Sequence, residues 1–216
     1  MRNTILIVSL IALTLSCSQR RPAQDTPEAI LAQMRTDTAW ILQLDSMAQI
    51  AIGPGAKCLD PVSHSFLYEG RTWLFNQDWG GVLEIPSDYI IEDDLWQVEL
   101  SFHGASAFSP DSLIHVSFYA GIKALDYEEY LKSLEEVLRE EGFSIIRNDG
   151  VTILARNEEG INYYGRHLYA NEDGIEYSVS VQWPDGKAEE IKEVIRMADR
   201  YPAGPDGAIF RGEALQ

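Results

Sequence analysis

In three stretches, polar or aromatic side chains that include histidines and tyrosines stand at alternate positions. The stretches are Trp96–His103, Ser112–Tyr119 and Ile161–Ala170. Such alternation is typical of half-buried β-strands, because successive side chains point to opposite faces of a sheet. If the three strands pair, one polar face gathers imidazoles and phenols from His103, His115, Tyr119, Tyr163, His167 and Tyr169.

This candidate face could bind a partner, because aromatic rings supply contact area while imidazoles and hydroxyls form hydrogen bonds. Catalysis would also require a nucleophile beside a base and an orienting group, which sequence spacing alone does not reveal. The alternative interpretation is a solvated sheet face, or one covered by a predicted N-terminal helix. The choice depends on strand pairing, and the sequence leaves it open.

Signatures of other chemistry are absent from the sequence. It has no glycine-rich phosphate loop, no G-x-S-x-G elbow, no H-E-x-x-H pair and no EF-hand loop. The acids Glu92, Asp93 and Asp94 are contiguous, which favours a solvated loop. Cys58 and His64 lack the further ligands that a zinc site needs. We therefore expect no catalytic residue, no metal and no cofactor.

The N-terminus predicts a lipoprotein signal peptide over residues 1–16. Arg2 precedes the apolar run Ile5–Leu15, which is too short to span a bilayer as a helix. Ser16 is a small residue just before Cys17, and we expect Cys17 to be lipidated with acyl chains such as palmitate. Several chains would hold the protein at a membrane. Because Ser18 rather than aspartate follows, the pattern resembles outer-membrane lipoproteins that face the periplasm. An ordinary signal peptide that ends near a cysteine is the alternative.

The formal net charge is −17 over 216 residues. This charge argues against nucleic acid as a partner, because the phosphate backbone would repel it, and against docking on an anionic membrane surface. A basic protein partner or a cation is compatible with it, although solubility alone would also explain it. If Cys17 is acylated, only Cys58 remains and no intrachain disulfide can form. We expect Cys58 to be a small buried or loop residue rather than a nucleophile.

A strand–helix–strand–strand unit over Ser112–Arg156 must position the candidate residues. Its helix, Asp126–Glu141, has an apolar stripe at helical spacing and is followed by Gly142, which suits the left-handed position after a helix. An N-terminal helix is expected from Thr26 to about Ile50. Further strands are expected at Ser65–Glu69, Arg71–Asn76, Gly80–Ile85, Trp96–His103, Ile161–Ala170 and Gly174–Trp183, with a loop at Gly104–Pro110 and a last helix at Lys187–Tyr201.

These elements predict the organisation of the whole chain. Residues 17–26 form a polar tether, and residues 27–60 form the N-terminal helix and a linker. Residues 61–201 form a single domain. Residues 202–216 are rich in glycine and proline and are expected to be a flexible tail.

Five segments within about Trp79–Tyr201 follow one another as strand, turn, strand, helix and strand: Gly80–Tyr89, Phe108–Asp111, Leu113–Tyr119, Tyr130–Phe143 and Val181–Pro184. Their order resembles the PsbP/Mog-like family. The resemblance implies an α+β fold in which helices cover an antiparallel sheet, an α/β/α sandwich, and a place in the bacterial lipoprotein branch. Members of that family mostly act as binding or accessory proteins, and the resemblance implies no site residue.

The sequence therefore favours a membrane-anchored envelope lipoprotein with a non-enzymatic binding or accessory role and a protein partner. One alternative is an immunity protein that neutralises a delivered toxin, which the acidic charge and the envelope anchor would suit. A third hypothesis is an enzyme that uses the polar sheet face. A cluster of histidines and carboxylates within hydrogen-bond reach would favour that third hypothesis.

Overall fold

The computed structural model describes residues 27–76, 79–92, 102–122, 126–170 and 174–210. The predicted signal peptide, the tether and Cys17 lie outside these ranges. Contacts between residues divide the described part of the chain into two compact units, with the boundary between Asp37 and Thr38. Helix α1 (Pro27–Thr36) belongs to the first unit, and every other element described below belongs to the second. Among the helices of the described ranges, none is both long and apolar enough to cross a membrane.

Two helices replace the single helix expected up to Ile50. Helix α1 ends at Thr36, and α2 (Thr38–Ala51) begins after Asp37. The expectation of one helix is wrong because threonine and aspartate are poor helix formers. In addition, the Thr36 hydroxyl donates a hydrogen bond to the Ala32 carbonyl at 3.2 Å, a local bond that competes with regular helix.

Helix α2 packs on a four-stranded antiparallel sheet with the order β1-β2-β3-β4. Its buried face, which includes Leu44 and Met47, clusters with Phe66, Trp73 and Phe75 of the sheet. The strands are β1 (Lys57–Asp60), β2 (Ser65–Tyr68), β3 (Arg71–Phe75) and β4 (Val82–Ile85). The expected β2–β3 hairpin is confirmed. The predicted domain start at residue 61 is too late, because α2 and β1 already belong to the larger unit.

A seven-stranded antiparallel sheet forms the rest of the framework, in the order β5-β6-β7-β11-β10-β9-β8. The predicted α+β class with antiparallel pairing is therefore present, in two sheets. The strands are β5 (Ile90–Glu92), β6 (Phe102–Phe108), β7 (His115–Ile122), β8 (Phe143–Asn148), β9 (Thr152–Asn157), β10 (Ile161–Ala170) and β11 (Ile175–Pro184).

Strand β6 corrects the expected loop at Gly104–Pro110. Small residues such as Gly104 and Ala105 have low strand propensity, which is why the sequence suggested a loop. Pairing with β7 overrides that preference, since Gly104 is opposite Tyr119. A Cβ atom on Gly104 would lie 2.6 Å from the Phe118 carbonyl oxygen, so the close strand approach requires glycine. Most of the expected strand Trp96–His103 lies outside the described residues.

The two faces of the seven-stranded sheet are covered differently. On one face, Val179 and Val181 share the main core with Leu83 of β4 and with α4 (Glu190–Ala198). On the other face lies α3 (Tyr127–Glu140), which confirms the predicted helix to within one residue at each end. Gly142 follows α3 with a φ of +86°, as predicted.

The chain beyond α4 is packed rather than free up to residue 210. Pro202 is buried, and Ala203 forms an isolated antiparallel bridge with Ile209. The ring of Phe210 lies 5.1 Å from that of Phe75, centroid to centroid. The expectation of a flexible tail from residue 202 is thus wrong for residues 202–210, because these apolar side chains complete the core around the four-stranded sheet. Residues 211–216 lie outside the described part.

Glu84 connects the four-stranded sheet to the chain after α4. Its side chain is 1% exposed and forms ion pairs with Arg71 and, at 3.0 Å, with Arg200. The Arg200 guanidinium also lies 5.9 Å from the centroid of the Trp73 ring. This buried carboxylate therefore holds together three segments that are distant in sequence.

We expect Glu84→Gln to lower the free energy of unfolding by about 2 kcal/mol, because buried hydrogen bonds to charged groups are among the stronger ones. Urea unfolding of the purified chain measures this change. The matched control is Glu193→Gln, since Glu193 pairs with Arg196 on the surface, where ion pairs contribute little. An equal loss of stability in both variants would contradict the role given to Glu84.

Candidate binding face on the seven-stranded sheet

The register of the seven-stranded sheet decides which candidate residues share a face. Ser117 of β7 lies opposite Ser106 of β6 and opposite Ser180 of β11. Ser180 in turn lies opposite Gly165 of β10. Side chains opposite each other on neighbouring strands lie on the same face, so these four positions form one line across the sheet. We call this line the serine row, and the side of the sheet that carries it the polar face.

Two lines of larger residues flank the serine row on the polar face. Four of the sequence-predicted candidates, His115, Tyr119, Tyr163 and His167, lie in these lines and therefore come together on one face. One line consists of Phe108, His115, Gln182 and Tyr163, and the other of Gly104, Tyr119, Ser178 and His167.

Backbone pairing alone locates the two remaining candidates. Tyr169 is opposite Glu176, two residues from Ser178, and its position is therefore in step with the polar face. His103 is opposite Ala120, which neighbours Tyr119 in the sequence, so the position of His103 belongs to the other face of the sheet. The register thus joins five of the six candidate positions and separates that of His103.

Helix α3 covers the part of the polar face formed by β8, β9 and β10. Leu134 and Leu138 of α3 pack with Ile153, Ala155 and Tyr163. This cluster includes no described residue of β6, β7 or β11, although Tyr130 of α3 reaches Glu176 and Ser178 of β11. On those three strands the serine row is only partly covered, since Ser117 and Ser180 are half-buried whereas Ser106 is 7% exposed.

His167 lies at the edge of the region that α3 covers and is 3% exposed. Its Nδ1 atom lies 3.0 Å from the Tyr130 hydroxyl of α3, and the two rings meet edge to face at 5.5 Å. The Tyr127 hydroxyl donates to the His167 carbonyl at 3.1 Å and also to the Gly150 carbonyl. Two tyrosines of α3 therefore dock the helix on His167.

Tyr130 links His167 to a second buried group. Its hydroxyl is hydrogen-bonded to the Glu176 carboxyl group, which is 4% exposed, and to Ser178. When Glu176 is ionised, its carboxylate accepts a hydrogen bond from the Tyr130 hydroxyl, which in turn accepts one from the N–H at Nδ1 of His167. This arrangement, which we call the His167 relay, leaves Nε2 of the imidazole as an acceptor.

Burial shifts the pKa values of all three groups in the His167 relay towards their neutral forms. Desolvation lowers the pKa of His167 from 6.5 to about 4. Desolvation also raises the pKa of Glu176, partly offset by the hydrogen bond from Tyr130. The pKa of Tyr130 is raised by burial and then by the neighbouring Glu176 carboxylate. The relay is therefore neutral at the imidazole and the phenol at pH 7.

Nε2 of His167 is buried and has no hydrogen-bond partner among the described residues. It points to the space above Gly165. A Cβ atom on Gly165 would lie 2.8 Å from Nε2 and 2.5 Å from the Tyr163 hydroxyl oxygen. The missing side chain thus lets two polar atoms gather at the inner end of the serine row.

The geometry supports hydrogen bonding more directly than catalysis. Because Nε2 of His167 has no partner among the described residues, no serine hydroxyl there is paired with it as a nucleophile. Nor do three or more potential metal ligands group together anywhere in the described ranges. The half-buried side chains of Ser117, Ser180 and Tyr119 therefore offer hydroxyls and an aromatic ring for binding, whereas Nε2 of His167 is buried.

Sequence reasoning missed Tyr130 and Glu176 as parts of the site. Tyr130 lies in the apolar stripe of α3, where a tyrosine is usually a core residue. Glu176 begins the polar alternation Glu176, Ser178, Ser180 and Gln182 of β11. That alternation was the available signal, because it places four polar side chains on one face of a central strand.

Cys58 is half-buried on β1, and its backbone N–H donates to a carboxylate oxygen of Asp45 at 2.6 Å. Burial raises the pKa of the Cys58 thiol to about 12, with further contributions from Asp45 and Asp60. Since the thiolate is the reactive form, we expect iodoacetamide to alkylate native Cys58 at pH 8 far more slowly than the urea-unfolded chain. Mass spectrometry of a time course measures this, and equal rates in both states would contradict the prediction.

Comparisons with known proteins found similarity among solved structures and none by sequence. No protein-family model matches the chain, and no curated protein matches it. Among solved structures, the solution structure of cyanobacterial PsbP (CyanoP) from Synechocystis sp. PCC 6803 is similar to this chain, with a TM-score of 0.42 and 10% sequence identity. The match covers 59% of this chain and 89% of that one.

Proposed function

We propose that the protein is a non-enzymatic binding or accessory lipoprotein of a bacterial envelope, anchored in the outer membrane through an acylated Cys17 and facing the periplasm. The observation that supports a binding role is the gathering of His115, Tyr119, Tyr163 and His167 on one polar face. A protein partner is proposed, and the net charge of −17 would favour a basic surface on it.

The proposal extends to the fold family. We assign the chain to the bacterial lipoprotein branch of the PsbP/Mog-like family, with an α/β/α sandwich as its architecture. Support comes from α3 and α4, which pack on opposite faces of the seven-stranded sheet. The segments Gly80–Tyr89 and Phe108–Asp111 support the same assignment from the sequence.

The test expresses the full chain and a Cys17→Ala variant in a Gram-negative host. Acyl labelling and membrane fractionation measure the anchor, and capture of envelope proteins measures binding. We expect the wild type to be acylated, to enter the outer-membrane fraction and to retain one protein in stoichiometric amount. Cys17→Ala should lose the label and the membrane location. An unacylated wild type in the soluble fraction would contradict the anchor, and an acylated chain that retains nothing at any salt concentration would contradict the binding role.

An enzymatic role is the second candidate, because the His167 relay places an imidazole, a phenol and a carboxyl group within hydrogen-bond reach. If His167 were a catalytic base, a hydrolysis product would form from envelope extract with the wild type but not with His167→Gln. The identity of a captured partner separates the remaining alternative, since an immunity protein would retain a toxin.

A further inference from the structure

We propose that α3 is an acid-released cover of the seven-stranded sheet, which detaches when His167 is protonated while the rest of the fold stays in place. Three features carry this proposal: the small cluster that holds α3, the exposed glycine at its end and the burial of the His167 imidazole beneath it. Release of α3 would uncover Tyr163, Gly165 and His167, and it does not depend on which partner the polar face binds.

Helix α3 is held on the sheet by a small cluster of apolar side chains. Leu138 is its one fully buried residue, whereas α4 buries four. Leu131 and Leu134 of α3 are half-buried. The cluster that these leucines form with β8, β9 and β10 shares no described residue with either of the two larger clusters. Since segments with few buried apolar contacts open more easily than the core, α3 can open while both larger clusters stay packed.

The chain can bend where α3 joins β8. Gly142 is exposed, has a φ of +86°, and has no described atom beyond its own chain neighbours within 4 Å of the position that a Cβ atom would take. Glycine rotates freely through backbone conformations, and hinges are often single positions at the end of an element. On the outer side of α3, the Asn148 side chain donates to Glu135 at 2.7 Å, an exposed contact that water can replace.

His167 links the docking of α3 to proton binding. The side chain is buried, its Nδ1 atom lies 3.0 Å from the Tyr130 hydroxyl, and its backbone carbonyl accepts from Tyr127. Protonation adds a positive charge and a second N–H at Nε2, an atom that has no partner among the described residues. A buried charge without a partner is unfavourable, whereas detachment of α3 exposes the imidazolium to water. Proton binding and detachment therefore favour each other.

Among the described groups around His167, none is placed to balance its positive charge. These titratable groups are Tyr127 and Tyr130 of α3, Tyr163 of β10, Glu176 of β11, Tyr119 of β7 and Asp149 before β9. Burial raises the pKa values of the first three, so their phenols stay neutral. Burial also raises the pKa of Glu176, which therefore loses its charge as the pH falls. The Asp149 carboxylate is already bound by the backbone N–H of Thr152 and by Arg147.

The size of the effect follows from the proton affinities of His167 in the two states. Burial lowers its pKa to about 4 while α3 is docked, against 6.5 for an exposed histidine. Between these values the detached state binds a proton that the docked state does not. The ratio of detached to docked α3 should therefore rise by up to about 30-fold from pH 7.5 to pH 5. Glu176 reduces this rise, because its raised pKa favours the docked state as the pH falls.

Hydrogen exchange of backbone amides tests the release of α3. The full chain is purified in a zwitterionic detergent, and exchange is followed by mass spectrometry at pH 5 and pH 7.5. After correction for intrinsic exchange rates, protection reports how readily each segment opens. We expect α3 to open more readily than β11 at both pH values, and its opening equilibrium to rise by up to about 30-fold at pH 5. Equal protection of α3 and β11 would overturn the inference, as would an opening equilibrium of α3 that does not change with pH.

His167→Gln should abolish the rise, because glutamine does not titrate. The matched control is His115→Gln, which makes the same change on β7 and should keep the rise. Circular dichroism at pH 7.5 confirms that both variants fold. A rise that persists in His167→Gln would overturn the inference. If His167→Gln does not fold, Glu176→Gln decides instead: its rise should exceed that of the wild type, and an equal or smaller rise would overturn the inference.

Discussion

Lowering the pH from 7 to 4 should reduce the free energy of unfolding by about 3 kcal/mol through His167 alone. Burial lowers the pKa of His167 to about 4, against 6.5 for an exposed histidine. Between these values the unfolded chain binds a proton that the native protein does not. The contribution is therefore complete above pH 6.5 and is lost as the pH falls towards 4.

Denaturant unfolding at a series of pH values from 4 to 7.5 measures this effect. In His167→Gln the part of the unfolding free energy that depends on protonation of His167 should disappear. The free energies of unfolding of the wild type and the variant should therefore converge at low pH. Glu176 acts in the opposite direction, because its raised pKa lets the native protein bind a proton first as the pH falls. Glu176→Gln should consequently steepen the loss of stability. Parallel pH profiles for the wild type and His167→Gln would contradict the prediction.

Tyr130→Phe should cost about 3 kcal/mol of unfolding free energy, although it removes a single oxygen atom. That oxygen bonds His167 Nδ1 at 3.0 Å and the Glu176 carboxyl group. The variant leaves both buried groups without a partner, and each unsatisfied buried group costs about 1–3 kcal/mol. Chemical denaturation at pH 7 measures the change.

The matched control is Tyr127→Phe, on the same helix and half-buried. Its hydroxyl donates to the backbone carbonyls of Gly150 and His167, so we expect a loss of about 1 kcal/mol. In a Glu176→Gln background, Tyr130→Phe should cost about 1 kcal/mol less than in the wild type, because coupled neighbours are not additive. Additive losses would show that Tyr130 does not link His167 to Glu176.

Local patterns predicted most of the elements. Alternation located β7 and β11 in the sequence, Tyr163, His167 and Tyr169 at alternate positions marked β10, and helical spacing with Gly142 located α3. These signals agree with the tertiary structure because each element buries one regular face against the core. Two local expectations failed where tertiary pairing or a short polar segment decided the outcome. The first was the expected loop at Gly104–Pro110, which is strand β6, and the second was the single N-terminal helix, which is divided at Asp37.

The candidate site was predicted only in part, because register cannot be read from alternation. A shift of one residue moves every side chain to the other face, so the sequence could not show that His115 and Tyr163 belong together while His103 is out of step. Nor could it show that Tyr130 of α3 meets His167 across 37 positions in sequence. Long-range contacts of this kind exist only once the helix is packed on the sheet.

The most direct test of the central claim, that the polar face binds a partner, is capture from bacterial envelope extract by the immobilised full chain. Ser180→Trp places a bulky ring in the serine row, and Ser144→Trp places the same ring at an exposed position of β8. We predict that the wild type and Ser144→Trp retain the same partner in stoichiometric amount and that Ser180→Trp, folded by circular dichroism, loses it. Equal retention by Ser180→Trp would contradict the claim.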